Sequence, residues 1–69
     1  MKLSARNVLK GTVTKVTRGA VNSEVTIRLD SGTEVVSIIT NASVDNLGLR
    51  ENAPAYAVIK ASNVIVAVE

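Results

Sequence analysis

The sequence predicts a mainly β domain: a small antiparallel barrel of about five strands, with one short helix between the third and fourth. Three observations carry this. Val, Ile and Thr dominate runs whose side chains alternate with period two, and Gly, Asn and Asp punctuate those runs at short intervals. The period switches to helical spacing only once, between Thr40 and Leu49.

Val8 to Thr17 reads as the first strand, with Gly11 expected to mark a bulge or bend. Gly19, in Thr17-Arg18-Gly19-Ala20-Val21, is a turn signal. In the second strand Val21, Ser23, Val25, Ile27 and Leu29 share one face and Asn22, Glu24, Thr26 and Arg28 the other, as in a half-buried strand. Asp30-Ser31-Gly32 is a tight hairpin leading into a third strand, Thr33 to Thr40. Both faces of that strand carry apolar residues, which suits a closed barrel or a subunit interface. Val44, Leu47 and Leu49 then follow helical spacing, with Asn41 or Ser43 expected as N-cap and Gly48 as the stop. Arg50 to Pro54 is a loop, and Ala55 to Ala61 a fourth strand. After a brief interruption at Ser62-Asn63, Val64 to Val68 is the expected fifth strand. Five short strands with this helix placement resemble an OB-fold.

With 69 residues the chain is expected to form one domain, residues 1–69. A domain of this size hides only roughly 60% of its unfolded surface, so it is marginal alone. The sequence has no cysteine and no histidine, which excludes disulfides, Cys/His zinc sites and thiol or imidazole catalysis. Self-association is the remaining route to stability, and a 46% hydrophobic composition with Tyr56 as the single aromatic agrees with it. A homo-oligomer is therefore expected. No apolar run is long enough to cross a bilayer as a helix, and Met1-Lys2-Leu3 opens no signal peptide, so a cytoplasmic location is expected. The formal net charge of +2 is mild and interspersed, and there are no aromatic platforms for stacking bases. Both features argue against a nucleic-acid binder.

The acids Glu24, Asp30, Glu34, Asp45, Glu51 and Glu69 are scattered, and no phosphate-cradling glycine loop is present. No catalytic constellation emerges, so an enzyme is not expected. What stands out is polar residues beside greasy strands. Ser4 and Arg6, two residues apart, share a face on an extended backbone. Lys60 ends the apolar run Ala55-Tyr56-Ala57-Val58-Ile59 and precedes Ala61 and Ser62. Thr40 and Ser43 bracket the helix start. Two cations with several hydroxyls suit a deprotonated tetrahedral dianion, which only accepts hydrogen bonds. The same residues also fit a plainer reading, with Arg6 and Lys60 as snorkelling surface charges and Thr40 and Ser43 as helix caps of an oligomeric structural domain.

The segments KLSARNVLKGTV, RGAVNSEVTI, SIITNASVDNLGL and AVIKASNVIVAV together resemble the molbindin (Mop) family of molybdate- and tungstate-binding domains, over essentially the whole chain from Lys2 to Val68. SARN near the start is the most recognisable motif, and its spacing to KAS adds specificity. The resemblance implies an OB-like barrel and a homohexamer built as a trimer of dimers, with oxyanions bound between subunits. It implies Ser4, Arg6 and Lys60 as ligands from one subunit and Thr40 and Ser43 from a neighbour. Ala5 and Ala61 would supply backbone N–H groups and Ser62 a hydroxyl. A further site near a threefold axis is implied around Gly19, Ala20, Val21 and Asn22. The implied ligand is molybdate or tungstate, with no organic cofactor and no direct protein–metal bond. The implied role is intracellular storage and buffering; the alternative is an interaction module that delivers the oxyanion to a partner protein.

Overall fold

Four strands form one antiparallel sheet that curls into a half-barrel, in a computed structural model describing residues Met1–Glu69. In chain order the elements are β1 (Asn7–Arg18), β2 (Asn22–Leu29), β3 (Glu34–Thr40), α1 (Asn41–Leu47), β4 (Pro54–Ile59) and a 3₁₀ turn (Ala61–Asn63). The sheet order is β3-β2-β1-β4, so β1 is the central strand joining two offset partners. Its first half pairs with β4, from Asn7↔Ile59 to Thr12↔Pro54. Its second half pairs with β2, from Gly11↔Leu29 to Arg18↔Ser23. Both partners overlap at Gly11 and Thr12, and at Gly11 the backbone has no room for a side chain. A Cβ on Gly11 would sit 2.4 Å from the Arg28 carbonyl oxygen and 2.8 Å from Ile27 Cγ2.

Gly11 is thus a close-approach glycine in regular pairing, not the expected bulge. The register shifts between Val13 and Lys15 instead, leaving Thr14 as the extra residue. Such an insertion sharpens local twist and helps the sheet curl. The β2–β3 hairpin turns through Asp30-Ser31-Gly32. Gly32 N–H donates to Leu29 O at 2.9 Å, and Leu29 N–H to Thr33 O at 2.7 Å. Gly32 has φ 96°, a value that a side chain would disfavour, and Asp30-Ser31-Gly32 forms the three-residue loop of the hairpin.

The inward face of β2 follows the predicted alternation, with Ser23, Val25 and Ile27 buried. With Val13, Val44 and Ala57 these apolar side chains make a core of five, flanked by half-buried Val16, Leu29, Val35, Ile39, Leu49 and Ala55. Val44 is the one buried residue of α1, and it ties the helix to this core. Only seven of 69 residues are buried, too few for a self-sufficient domain of this length. The outward face of β3 explains part of the deficit, because Val36 and Ile38 remain 59% and 62% exposed.

Two further expectations are corrected. The N-cap of α1 is Thr40, not Asn41 or Ser43: its backbone is extended (φ −69°, ψ 152°) and its side chain accepts the Ser43 N–H. Gly48 does end the helix, in the left-handed conformation at φ 63°. The fifth strand, Val64 to Val68, is absent. Strand β4 stops at Ile59, the 3₁₀ turn follows, and Val64 to Glu69 pairs with nothing in its own chain. β propensity alone makes no strand where no edge is in reach.

Candidate functional site

Pairing of β1 with β4 decides which polar residues meet. Asn7 opens β1 opposite Ile59, which closes β4. The residues just before Asn7 and just after Ile59 must therefore leave the sheet side by side. Ser4, Ala5, Arg6, Lys60, Ala61 and Ser62, together with Val58, line one open concavity of about 640 Å³. Asn7 ties its two walls together, since its Nδ2 donates to the Ile59 carbonyl at 3.2 Å across 52 positions of sequence. The approach to β1 is bent, not extended, from Ser4 to Arg6. Ser4 and Arg6 nonetheless reach the same concavity.

The chemistry of this concavity is one-sided. It holds two cations, Arg6 and Lys60, and two hydroxyls, with no carboxylate among its lining residues. The single ion pair of the chain joins Arg18 to Asp45 elsewhere, so neither Arg6 nor Lys60 is neutralised. The N–H groups of Ala5 and Arg6 make no hydrogen bond within the chain. Ala61 and Ser62 begin the 3₁₀ turn, where N–H groups have no acceptor in the turn itself. Donors without acceptors suit a fully deprotonated anion and leave nothing to receive a ligand's proton.

Thr40 and Ser43 do not line this concavity. Thr40 ends β3 opposite Asn22, and Ser23 faces Arg18 at the far end of β1. The twelve residues of β1 amount to roughly 35 Å of strand. The sheet thus holds its two donor clusters at opposite ends. The second cluster is neutral and already bonded internally. Thr40 Oγ1 accepts from Ser43 N–H at 3.0 Å and donates to Ser43 Oγ at 2.8 Å. Neither bond uses the Ser43 hydroxyl hydrogen.

The turn Gly19 to Asn22 lies against this second cluster. Asn41, the first residue of α1, holds it: Asn41 N–H donates to Val21 O at 2.9 Å and Asn41 Nδ2 to Gly19 O at 3.0 Å. Ser23 Oγ donates in turn to Asn41 Oδ1. Gly19 N–H bonds Asn22 O at 2.8 Å, while the N–H groups of Ala20 and Val21 make no hydrogen bond within the chain. Sequence reasoning offered Asn41 only as an N-cap and Ser23 only as a strand-face residue, and it gave Val58 no part in a site. The first two are legible only once β2 and α1 are known to touch.

A half-barrel with this helix has close counterparts. The TOBE domain family matches residues 3–66. A probable molybdenum-pterin-binding protein of Haemophilus influenzae is 45% identical over 69 residues, covering the whole of both chains. The chain belongs to the TOBE domain family of Mop proteins.

Solved structures agree with the fold. MopII from Clostridium pasteurianum superposes with a TM-score of 0.92 at 39% identity, over 97% of this chain and all of that one. The cytoplasmic molybdate-binding protein ModG, solved with molybdate bound, gives a TM-score of 0.91 at 57% identity over 94% of this chain. This chain spans 46% of ModG. It spans nearly all of some curated Mop relatives and about a quarter of others. The relatives carry the names of binding and transport proteins, not of enzymes. In this Mop chain no helix is long and apolar enough to cross a membrane.

Proposed function

We propose that this Mop-family chain binds molybdate or tungstate at the interfaces of a homo-oligomer and so stores and buffers the oxyanion in the cytoplasm. The observation that carries this is the acid-free concavity, in which unpaired Arg6 and Lys60 converge with Ser4, Ser62 and open backbone N–H groups. Relatives named for molybdenum or molybdate binding support the ligand class, and the description of ModG as cytoplasmic supports the compartment.

Arg6 and Lys60 supply the charge, and Ser4 and Ser62 supply hydroxyl donors. Ala5 and Ala61 are small enough for the anion to approach the main chain. Thr40 and Ser43 lie at the opposite end of the sheet, so they complete the shell from a second subunit. The homohexamer, a trimer of dimers, gives each anion both ends of the sheet. The turn Gly19 to Asn22, with Ala20 and Val21 N–H groups free, provides a second class of site where several copies converge. No side chain bonds the metal and no group is transformed; the protein gathers an anion and releases it by mass action.

Calorimetric titration with molybdate, tungstate, sulfate and phosphate in parallel, with mass measured in solution, tests this. The expected result is saturable binding of molybdate or tungstate to an oligomer, with weaker sulfate and phosphate binding. An oligomer that ignores all four anions would instead leave a structural or interaction module whose partner is a protein.

A further inference from the structure

The two walls of the charged concavity are tied together at one place. The β1–β4 ladder ends at Asn7↔Ile59, and the residues beyond that pair leave the sheet. No backbone hydrogen bond joins residues 4–6 to residues 60–62. Among side-chain hydrogen bonds, only Asn7 Nδ2 to the Ile59 carbonyl, at 3.2 Å, crosses from one wall to the other. The Lys60 wall is braced within itself, by Asn63 N–H to Lys60 O at 2.9 Å and Val64 N–H to Ala61 O at 3.2 Å. The wall from Ser4 to Arg6 makes no hydrogen bond within the chain. Its distance from Lys60 therefore depends on the strand start and on that one amide.

We propose that Asn7 is a positioning residue that fixes the width of the concavity, and so sets its preference for molybdate over the smaller sulfate. The inference deepens the oxyanion reading and rests on it. Charge cannot make this distinction, because sulfate carries the same two negative charges in the same tetrahedral shape. Donor chemistry cannot make it either, because Arg6, Lys60 and the hydroxyls meet either ion as donors. Size is what differs. Specificity is a difference between two affinities, and a gap held too wide for the smaller ion lowers only one of them.

Three features suit Asn7 to this task. Its amide stands on a single methylene, so it has little freedom to follow a moving wall. Its acceptor is a main-chain carbonyl directly before Lys60, which no side-chain rotation can carry away. The bond is partly buried, where water competes less well for either partner. Asn7 does not itself line the concavity, so it acts through the walls and not on the ligand. Without the tie the walls are free to draw in around a smaller ion, and the preorganised fit to the larger one is lost.

Asn7→Ala and Asn7→Leu are compared with the unaltered chain. Molybdate is titrated by calorimetry, and sulfate by its competition against molybdate. The leucine keeps the bulk of the amide and removes its donor, so it reports even if the alanine variant folds poorly. The expected result is a fall in molybdate affinity without a matching fall for sulfate, narrowing the ratio of the two about five-fold. Equal losses for both anions, an unchanged ratio, or an unaltered chain that binds the two equally well would each overturn the proposal. An unaltered chain that binds neither anion would remove the storage reading itself, an outcome distinct from equal losses in the variants.

Discussion

The two ends of the sheet are built to opposite specifications. At the β1–β4 end, Arg6 and Lys60 stand without counter-ions beside unbonded backbone donors. At the β2–β3 end, Thr40, Ser43, Asn41 and Ser23 bond one another and carry no formal charge. One end has charge in need of a ligand; the other has fixed geometry with one hydroxyl hydrogen to spare. On the proposed reading neither end is a complete site, because the first lacks a rigid opposing wall and the second, where Arg18 is paired with Asp45, lacks unpaired charge. Separation along β1 keeps a single chain from combining them.

The largest expected effect comes from breaking the charged end. Arg6→Ala and Lys60→Ala should each weaken molybdate binding roughly 10- to 150-fold, the range for losing a charge-assisted hydrogen bond. Melting temperature without ligand should barely move in either, since neither side chain holds an internal contact. Calorimetry and a thermal melt read both. Asn7→Ala should come next, at roughly five- to ten-fold in affinity, because it loosens the Ile59 link between the two walls. Its unliganded melting temperature should also fall.

At the neutral end, two substitutions should separate. Thr40→Val removes the cap of α1 and should cost about 1 kcal/mol of stability, measured by denaturant unfolding. Ser43→Ala keeps its N–H on Thr40, so it should lower affinity several-fold with little loss of stability. The smallest effect is Arg18→Ala. Its ion pair with Asp45 has side chains 49% and 65% exposed, so loss should cost no more than about 0.5 kcal/mol and leave binding unchanged.

Much of this was legible in the residues. Alternation from Val21 to Leu29 located β2 and its buried face, and the change of period located α1. The meeting of SARN with KAS followed from the family resemblance, and the Asn7↔Ile59 pairing supplies its physical cause. Three features were hidden for definite reasons. Gly11 and a bulge residue look alike in sequence, and only the paired strands reveal a backbone 2.4 Å from where its Cβ would lie. Thr40 could serve either as the last strand residue or as the cap, and it does both. Val64 to Val68 has every local mark of a strand, but a strand also needs a free edge within reach. Asn41 looks locally like an N-cap, and its holding role is hidden because its partners Gly19, Val21 and Ser23 are brought to it by tertiary contact.

The central claim is that binding needs the charged end of one copy and the neutral end of another. Complementation measures it directly. A chain carrying Arg6→Ala and Lys60→Ala is unfolded and refolded with an equal amount of one carrying Thr40→Val and Ser43→Ala, and molybdate binding is titrated by calorimetry. Each variant alone should bind poorly, and the mixture should recover about one native-affinity site in four, as random pairing across a shared interface requires. A mixture that binds no better than its two components would contradict the account.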